Sequence, residues 1–287
     1  MGSRKASNCG AMANNLTLCP PNPYTCTAQS RNATLALEML RNAGGSQVAT
    51  SMFVYCGLSI NASGHLSSAE MSPGCGLMIP GLNQLGIGAE PVVGGSLSAL
   101  RNMFASPSQS ISALAALTRT HNLRGISWDV EPSGSTASDA SQFAAYLSQL
   151  RHALHPLGAR VTTYSNAYSK MISNIALLSG ATDRVLDGDC YNGGSYNGWV
   201  AKYKQLLQPG VNRSAVAPAM MASTERGQWN CDNTTIAQRY ERVVADGINE
   251  IAIFTYDPTS SADTKGHTVS DCSSLWLPFA RRFLQGR

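Results

Sequence analysis

Two carboxylates stand at alternate positions in the stretch Leu123-Arg-Gly-Ile-Ser-Trp-Asp-Val-Glu-Pro132. On a β-strand alternate side chains share a face, so Ser127, Asp129 and Glu131 point one way and Ile126, Trp128 and Val130 the other. Carboxylates on an interior face are costly unless they are paired or wet. Crowding Asp129 against Glu131 is expected to raise the pKa of one of them. A carboxylic acid kept protonated near neutral pH can donate a proton to a leaving oxygen, the requirement of glycosidic bond cleavage.

A second cluster lies about sixty residues on, at Asp187, Asp189, Tyr191 and Asn192. Read as a strand over 185–191, the two acids share the face of Tyr191 and could reach the same cleft. Trp199, Trp229 and Tyr256 follow or end strand patterns, where aromatic rings could stack on a ligand. Trp276 sits among Leu275, Leu277 and Phe279 in a helical pattern and is expected in the core. The histidines at 65, 121, 152, 155 and 267 show no metal-ligand spacing, so no metal and no cofactor are predicted. No Gly-x-Ser-x-Gly elbow is present to support a serine hydrolase.

These residues need a frame, and the chain supplies alternating patterns. Strands are predicted over 48–58, 90–94, 125–131, 160–165, 185–191, 215–221 and 248–256. Helices are predicted over 33–43, 137–154, 170–178, 199–207, 235–246 and 273–284, with helical material over 97–121 interrupted at Pro107. Such alternation argues for parallel βαβ units. Their number and the chain length suit an α/β fold of the (β/α)8 TIM barrel class, irregular at the first strand, which should precede the helix at 33. Glu131 then falls at the C-terminal end of a strand, where barrel active sites sit. No Gly-x-Gly-x-x-Gly opens a helix after a strand, which counts against a dinucleotide fold. Residues 1–30, rich in Cys, Pro and Asn, read as an irregular disulfide-stapled lead-in, and 31–287 as a single barrel domain.

Only 13% of the 287 residues are charged, with a net charge of +4 and 43% hydrophobic. The chain can bury a sizeable core, and without a clustered basic run it carries no nucleic-acid footprint. Its apolar runs are too short for a membrane span. Eight scattered cysteines without a Cys-x-x-Cys pair point to disulfides in an oxidising compartment. Asn-x-Ser/Thr sequons at Asn15, Asn32, Asn61, Asn212 and Asn233 agree with a secreted or lumenal glycoprotein. The opening Met1–Ser7 has no apolar signal core and is expected to be a mature or expression-derived start.

The Gly125–Glu131 stretch resembles the catalytic strand of the family 18 glycoside hydrolases, the chitinases and their relatives. Gly125, Ile126, Asp129 and Glu131 match; Arg124 and Ser127 stand where that family carries acids. Met52–Cys56 through Leu66, Pro91–Gly95, Asp189–Asn192 and Ile251–Tyr256 are similar to other strands of the family in the same order. The resemblance covers roughly 48–285. It implies substrate-assisted, retaining hydrolysis of β-linked N-acetylhexosaminides. Glu131 would be the acid/base, Asp129 would orient the substrate's acetamido group, and Tyr191 would hydrogen-bond the acetamido oxygen. Asn192, Ser127, Asp189, Trp229 and Tyr256 would contact the sugar. The expected partner is an oligosaccharide or polysaccharide. Val130-Glu131-Pro132 is also similar to the Asn-Glu-Pro of two-carboxylate retaining glycosidases, with Glu225 then the nucleophile. A non-catalytic, lectin-like barrel is the remaining alternative.

Overall fold

The computed structural model describes residues 26–67, 73–193, 195–221, 233–254 and 269–286. Within them β1 (Ser51–Ile60), β2 (Gly88–Gly95), β3 (Gly125–Trp128), β4 (Arg160–Ser165), β5 (Arg184–Asp187), β6 (Val216–Met221) and β7 (Ala252–Phe254) form one sheet in chain order. Every neighbouring pair is parallel. Helices α1 (Cys26–Ala43) and α2 (Pro73–Gln84) precede β1 and β2, and α3 (Leu97–Ala105) and α4 (Pro107–His121) precede β3. Then α5 (Ala137–Leu154), α6 (Ile175–Ala181), α7 (Tyr196–Tyr203), α8 (Asn233–Ala245) and α9 (Val269–Leu284) follow β3, β4, β5, β6 and β7. This is the expected α/β barrel order, left unclosed: among the described residues no pairing joins β7 to β1. The strand expected before α1 lies outside the described residues. Residues 26–30, read as part of an irregular lead-in, are helical because α1 starts at Cys26.

The orientation of β3 follows from its outer face. Trp128 is fully buried and meets Phe143 and Tyr146 of α5 edge-on at 6.0 and 5.3 Å. That contact turns the alternate residues, Ser127 and Asp129, toward the barrel interior. The start of α5 is secured by a capping box: Asp139 N–H donates to Thr136 Oγ1 at 3.3 Å, and Thr136 N–H donates to Asp139 Oδ2 at 2.7 Å. Arg101 of α3 grips the same Asp139 carboxylate with two bonds of 2.7 and 2.9 Å, locking two outer helices together.

Sequence patterning missed α2, whose Pro-Gly-Cys-Gly-Leu-Met-Ile-Pro-Gly run is poor in helix formers. Tertiary packing overrides propensity there. Cys75, Met78, Ile79 and Leu82 are buried, and a Cys56–Cys75 disulfide staples the helix to β1.

The N-terminal end of the barrel is plugged by charge. Glu90, fully buried, accepts from Arg184 Nη2 at 2.5 Å, from Thr162 Oγ1 at 2.9 Å and from Arg160 Nη2 at 3.4 Å. Glu250 takes the remaining arms of Arg184 and Arg160 at 2.9 and 2.7 Å. Burial pushes the Glu90 pKa up, but Arg184 and Arg160 outweigh it and leave it below the usual carboxylate value. Gly125 makes room for this plug: a Cβ there would come within 3.2 Å of the Glu90 carboxyl carbon and 2.8 Å of the Arg160 carbonyl oxygen.

Candidate active site

Asp129 and Glu131 lie just past the C-terminal end of β3, at the opposite end of the barrel from the ionic plug. The ladder runs on to Asp129, whose N–H donates to the Val93 carbonyl at 3.1 Å. A cavity of about 450 Å³ opens beside them, lined by Gly95, Ser96, Asp129, Glu131, Pro132 and Ser133.

Asp129 is held from across the sheet. The Tyr55 hydroxyl donates to Asp129 Oδ2 at 2.6 Å, a short charge-assisted bond. Tyr55 shares the interior face of β1 with Ser51 and Phe53, both of which meet Arg184; just beyond it the β1–β2 register jumps between Val54 and Leu58, and Gly57 takes φ +77°. Burial raises the Asp129 pKa, and the Tyr55 bond partly offsets that rise. The rise at Asp129 comes first from burial rather than from an acidic neighbour.

Glu131 is exposed to the cavity, and Asn166, the first residue after β4, donates its Nδ2 to Glu131 Oε1. The direction of that amide is set by its other end. Asn166 Oδ1 accepts the N–H groups of Tyr168 at 2.9 Å and Ser169 at 3.3 Å, so Nδ2 must face the carboxylate. Asn166 is itself only 2% exposed. Neither Tyr55 nor Asn166 was singled out from the sequence. The available signal was position alone: each lies in or directly after a predicted strand.

The second cluster departs from its strand reading. β5 stops at Asp187, and Gly188–Gly193 turn as a 3-10 helix. The three-residue period then brings Cys190 back over Asp187, instead of aligning Asp187, Asp189 and Tyr191 on one face. Asp187 accepts from the Asp189 N–H at 3.0 Å and from the Cys190 thiol at 3.2 Å. Burial pushes its pKa up to about 7 despite the thiol's hydrogen bond, and the nearby Asp189 charge adds to the rise. Asp189 is buried at 4% exposure, and Ser127 is buried in β3 at 2%, paired with Val92 and Thr162. Tyr191 and Asn192 fall in the turn by their backbone; their side chains, with Trp229, Tyr256 and Glu225, lie outside the described residues.

Trp199 is not a ligand platform. It is fully buried, stacked on Tyr203 at 4.6 Å and Tyr196 at 6.0 Å with the Arg239 guanidinium 5.5 Å from its ring. Trp276 is fully buried, as its helical neighbours predicted.

No family model matches the chain, and no curated protein matches it. Solved structures do. A chitinase from Chromobacterium violaceum superposes with a TM-score of 0.66 at 12% identity, covering 88% of this chain and 96% of that one. A chitinase from Bacteroides thetaiotaomicron gives 0.63 at 12% identity over 88% and 93%. The Bacillus megaterium spore cortex-lytic enzyme SleL gives 0.62 at 8% identity over 84% and 70%. At these identities the likeness is one of fold: the chain has the α/β barrel architecture of these chitinases, divergent in sequence.

Proposed function

We propose that this protein is a glycoside hydrolase of chitinase type, cleaving β-linked N-acetylhexosaminides by substrate-assisted, retaining catalysis. The observation that carries the reading is the division of labour between the two carboxyls. Asp129 is enclosed and tethered by Tyr55, while Glu131 opens onto the cavity with one oxygen held by Asn166. A tethered, fixed carboxyl suits positioning, and an exposed one suits proton transfer to a substrate. The fold shared with the chitinases supports the same assignment.

In this scheme Glu131 protonates the glycosidic oxygen as the bond breaks. Asp129 accepts the acetamido N–H and holds the group so that its carbonyl oxygen attacks the anomeric carbon. The resulting cyclic intermediate is opened by water, with Glu131 now the base. Tyr191 donates to the acetamido oxygen as charge develops. Asn192, Trp229 and Tyr256 complete the sugar contacts, whereas Ser127 and Asp189, expected there from the sequence, are buried and do not line the cavity. Ser127 replaces an acid found in the family, and the Tyr55 hydroxyl takes over the task of holding Asp129. The Cys56–Cys75 disulfide and the exposed sequons at Asn61 and Asn212 support a secreted or lumenal glycoprotein.

The test is Glu131→Gln. Turnover of an unactivated chito-oligosaccharide should fall at least about 10²-fold, the usual share of a general acid, and a thiazoline mimic of the cyclic intermediate should inhibit the parent competitively. Near-normal turnover in a folded variant would remove Glu131 from the mechanism. Cleavage of substrates lacking the acetamido group, abolished by Glu225→Ala and rescued by azide, would instead establish the two-carboxylate route.

A further inference from the structure

We infer that Tyr168 is a stacking platform for a pyranose ring of the bound glycan, a subsite next to the catalytic acid; the inference rests on the glycosidase reading. The segment after β4 is bolted to the segment after β3. Asn166 donates to Glu131, Ser169 Oγ donates to the Pro132 carbonyl at 3.1 Å, and Ser135 and Ser169 share a hydrogen bond of 3.1 Å. The Met171 N–H donates to Ser135 Oγ, also at 3.1 Å. Asn166, Ser169, Met171 and Ile172 are all buried, at 2% exposure or less.

From this fixed base Tyr168 presents a large aromatic side chain to solvent, at 78% exposure. The other large hydrophobic residues exposed among the described ones, Leu35, Leu77, Val244 and Leu284, reach only 39–46%. The Tyr168 backbone is not free to follow its ring outward, because its own N–H is held by Asn166 Oδ1 at 2.9 Å. The same amide holds Glu131, so one buried side chain ties the acid to the backbone that carries the ring. Only Ala167 separates Tyr168 from Asn166, so their Cα atoms span at most about 7 Å at full extension. The ring therefore sits within the reach of a glycan whose glycosidic oxygen meets Glu131.

The chemistry of the surroundings selects the ligand. Its exposed chain neighbours are Ala167 and Lys170, and no other large exposed hydrophobic residue among the described ones lies on this segment. A β-linked pyranose presents axial C–H groups on a face and hydroxyls at its rim. An isolated tyrosine ring can cover the former while leaving the latter in water.

The experiment uses the Glu131→Gln protein, which should bind chitohexaose without cleaving it, followed by calorimetry. Adding Tyr168→Ala should weaken binding about tenfold, the loss expected from uncovering one ring face. Adding Tyr168→Phe, which keeps the face and drops the hydroxyl, should leave binding within about twofold. If Glu131→Gln binds chitohexaose and Tyr168→Ala binds equally well, the subsite is wrong and the glycosidase reading stands. If Glu131→Gln binds no chitohexaose, the glycosidase reading fails and the subsite with it.

Discussion

Replacing Tyr55 by Phe removes a single oxygen, yet it should change the pH dependence of the reaction. In the folded protein burial favours the neutral form of Asp129, and the 2.6 Å bond from Tyr55 opposes it by stabilising the ionised form. Hydrogen bonds to charged groups contribute about 1.5–3 kcal/mol, equivalent to a factor of about 10–100 in the ionisation equilibrium. Without the bond the Asp129 pKa rises further, so the carboxyl keeps its proton to higher pH. A protonated Asp129 is a poorer acceptor for the acetamido N–H. The acid limb of kcat/KM should therefore move to higher pH, with a loss of about 10–100-fold on the acid side. Activity should recover toward the parent value as the pH rises. The assay is a pH–rate profile on an aryl chitobioside, with thermal melts to establish that the variant is folded. Phe keeps the ring and its packing, so the variant should fold, with stability at pH values where Asp129 is ionised lower by up to about the same 1.5–3 kcal/mol. An acid limb in the same place in a folded variant would refute the claim that Tyr55 sets the ionisation of Asp129.

Glu90→Gln should cost about 3 kcal/mol, because it leaves the buried Arg184 short of a counter-charge; for a chain of this size that lowers Tm by about 5 °C, readable by circular dichroism. Since the folded Glu90 pKa lies below its ordinary value of 4.5, the parent's advantage holds above that pH and shrinks as the pH falls through the folded value. Asp187 has the opposite sign. Its pKa rises from 3.8 to about 7 on folding, so its contribution is complete below about pH 4 and is lost as the pH rises to about 7. Parent stability measured by urea titration should decline across that window, and Asp187→Asn should flatten the decline; equal slopes in the two proteins would show that Asp187 is not the titrating group.

Local sequence determined the parts of this protein whose cause is local. The period-two alternation through Ile126, Ser127, Trp128 and Asp129 was enough to assign faces, because a strand side chain has only two directions to take. Pro107 marked the break in the helical material over 97–121 for the same reason: its effect reaches a single turn. The order of strands and helices then constrained the fold, since parallel strands joined by helices have few ways to close. What lay beyond reach was every decision made between distant segments. Tyr55 meets Asp129 only because β1 and β3 face one another across the sheet, and Asn166 meets Glu131 only because β4 lies beside β3 in register. α2 forms against its own propensity because β1 and a disulfide bury its apolar face. Asp187 and Cys190 face each other because the strand gives way to a 3-10 turn one residue after Asp187. Each of these depends on packing contacts that do not exist until the barrel has assembled, and so no window of sequence carries them.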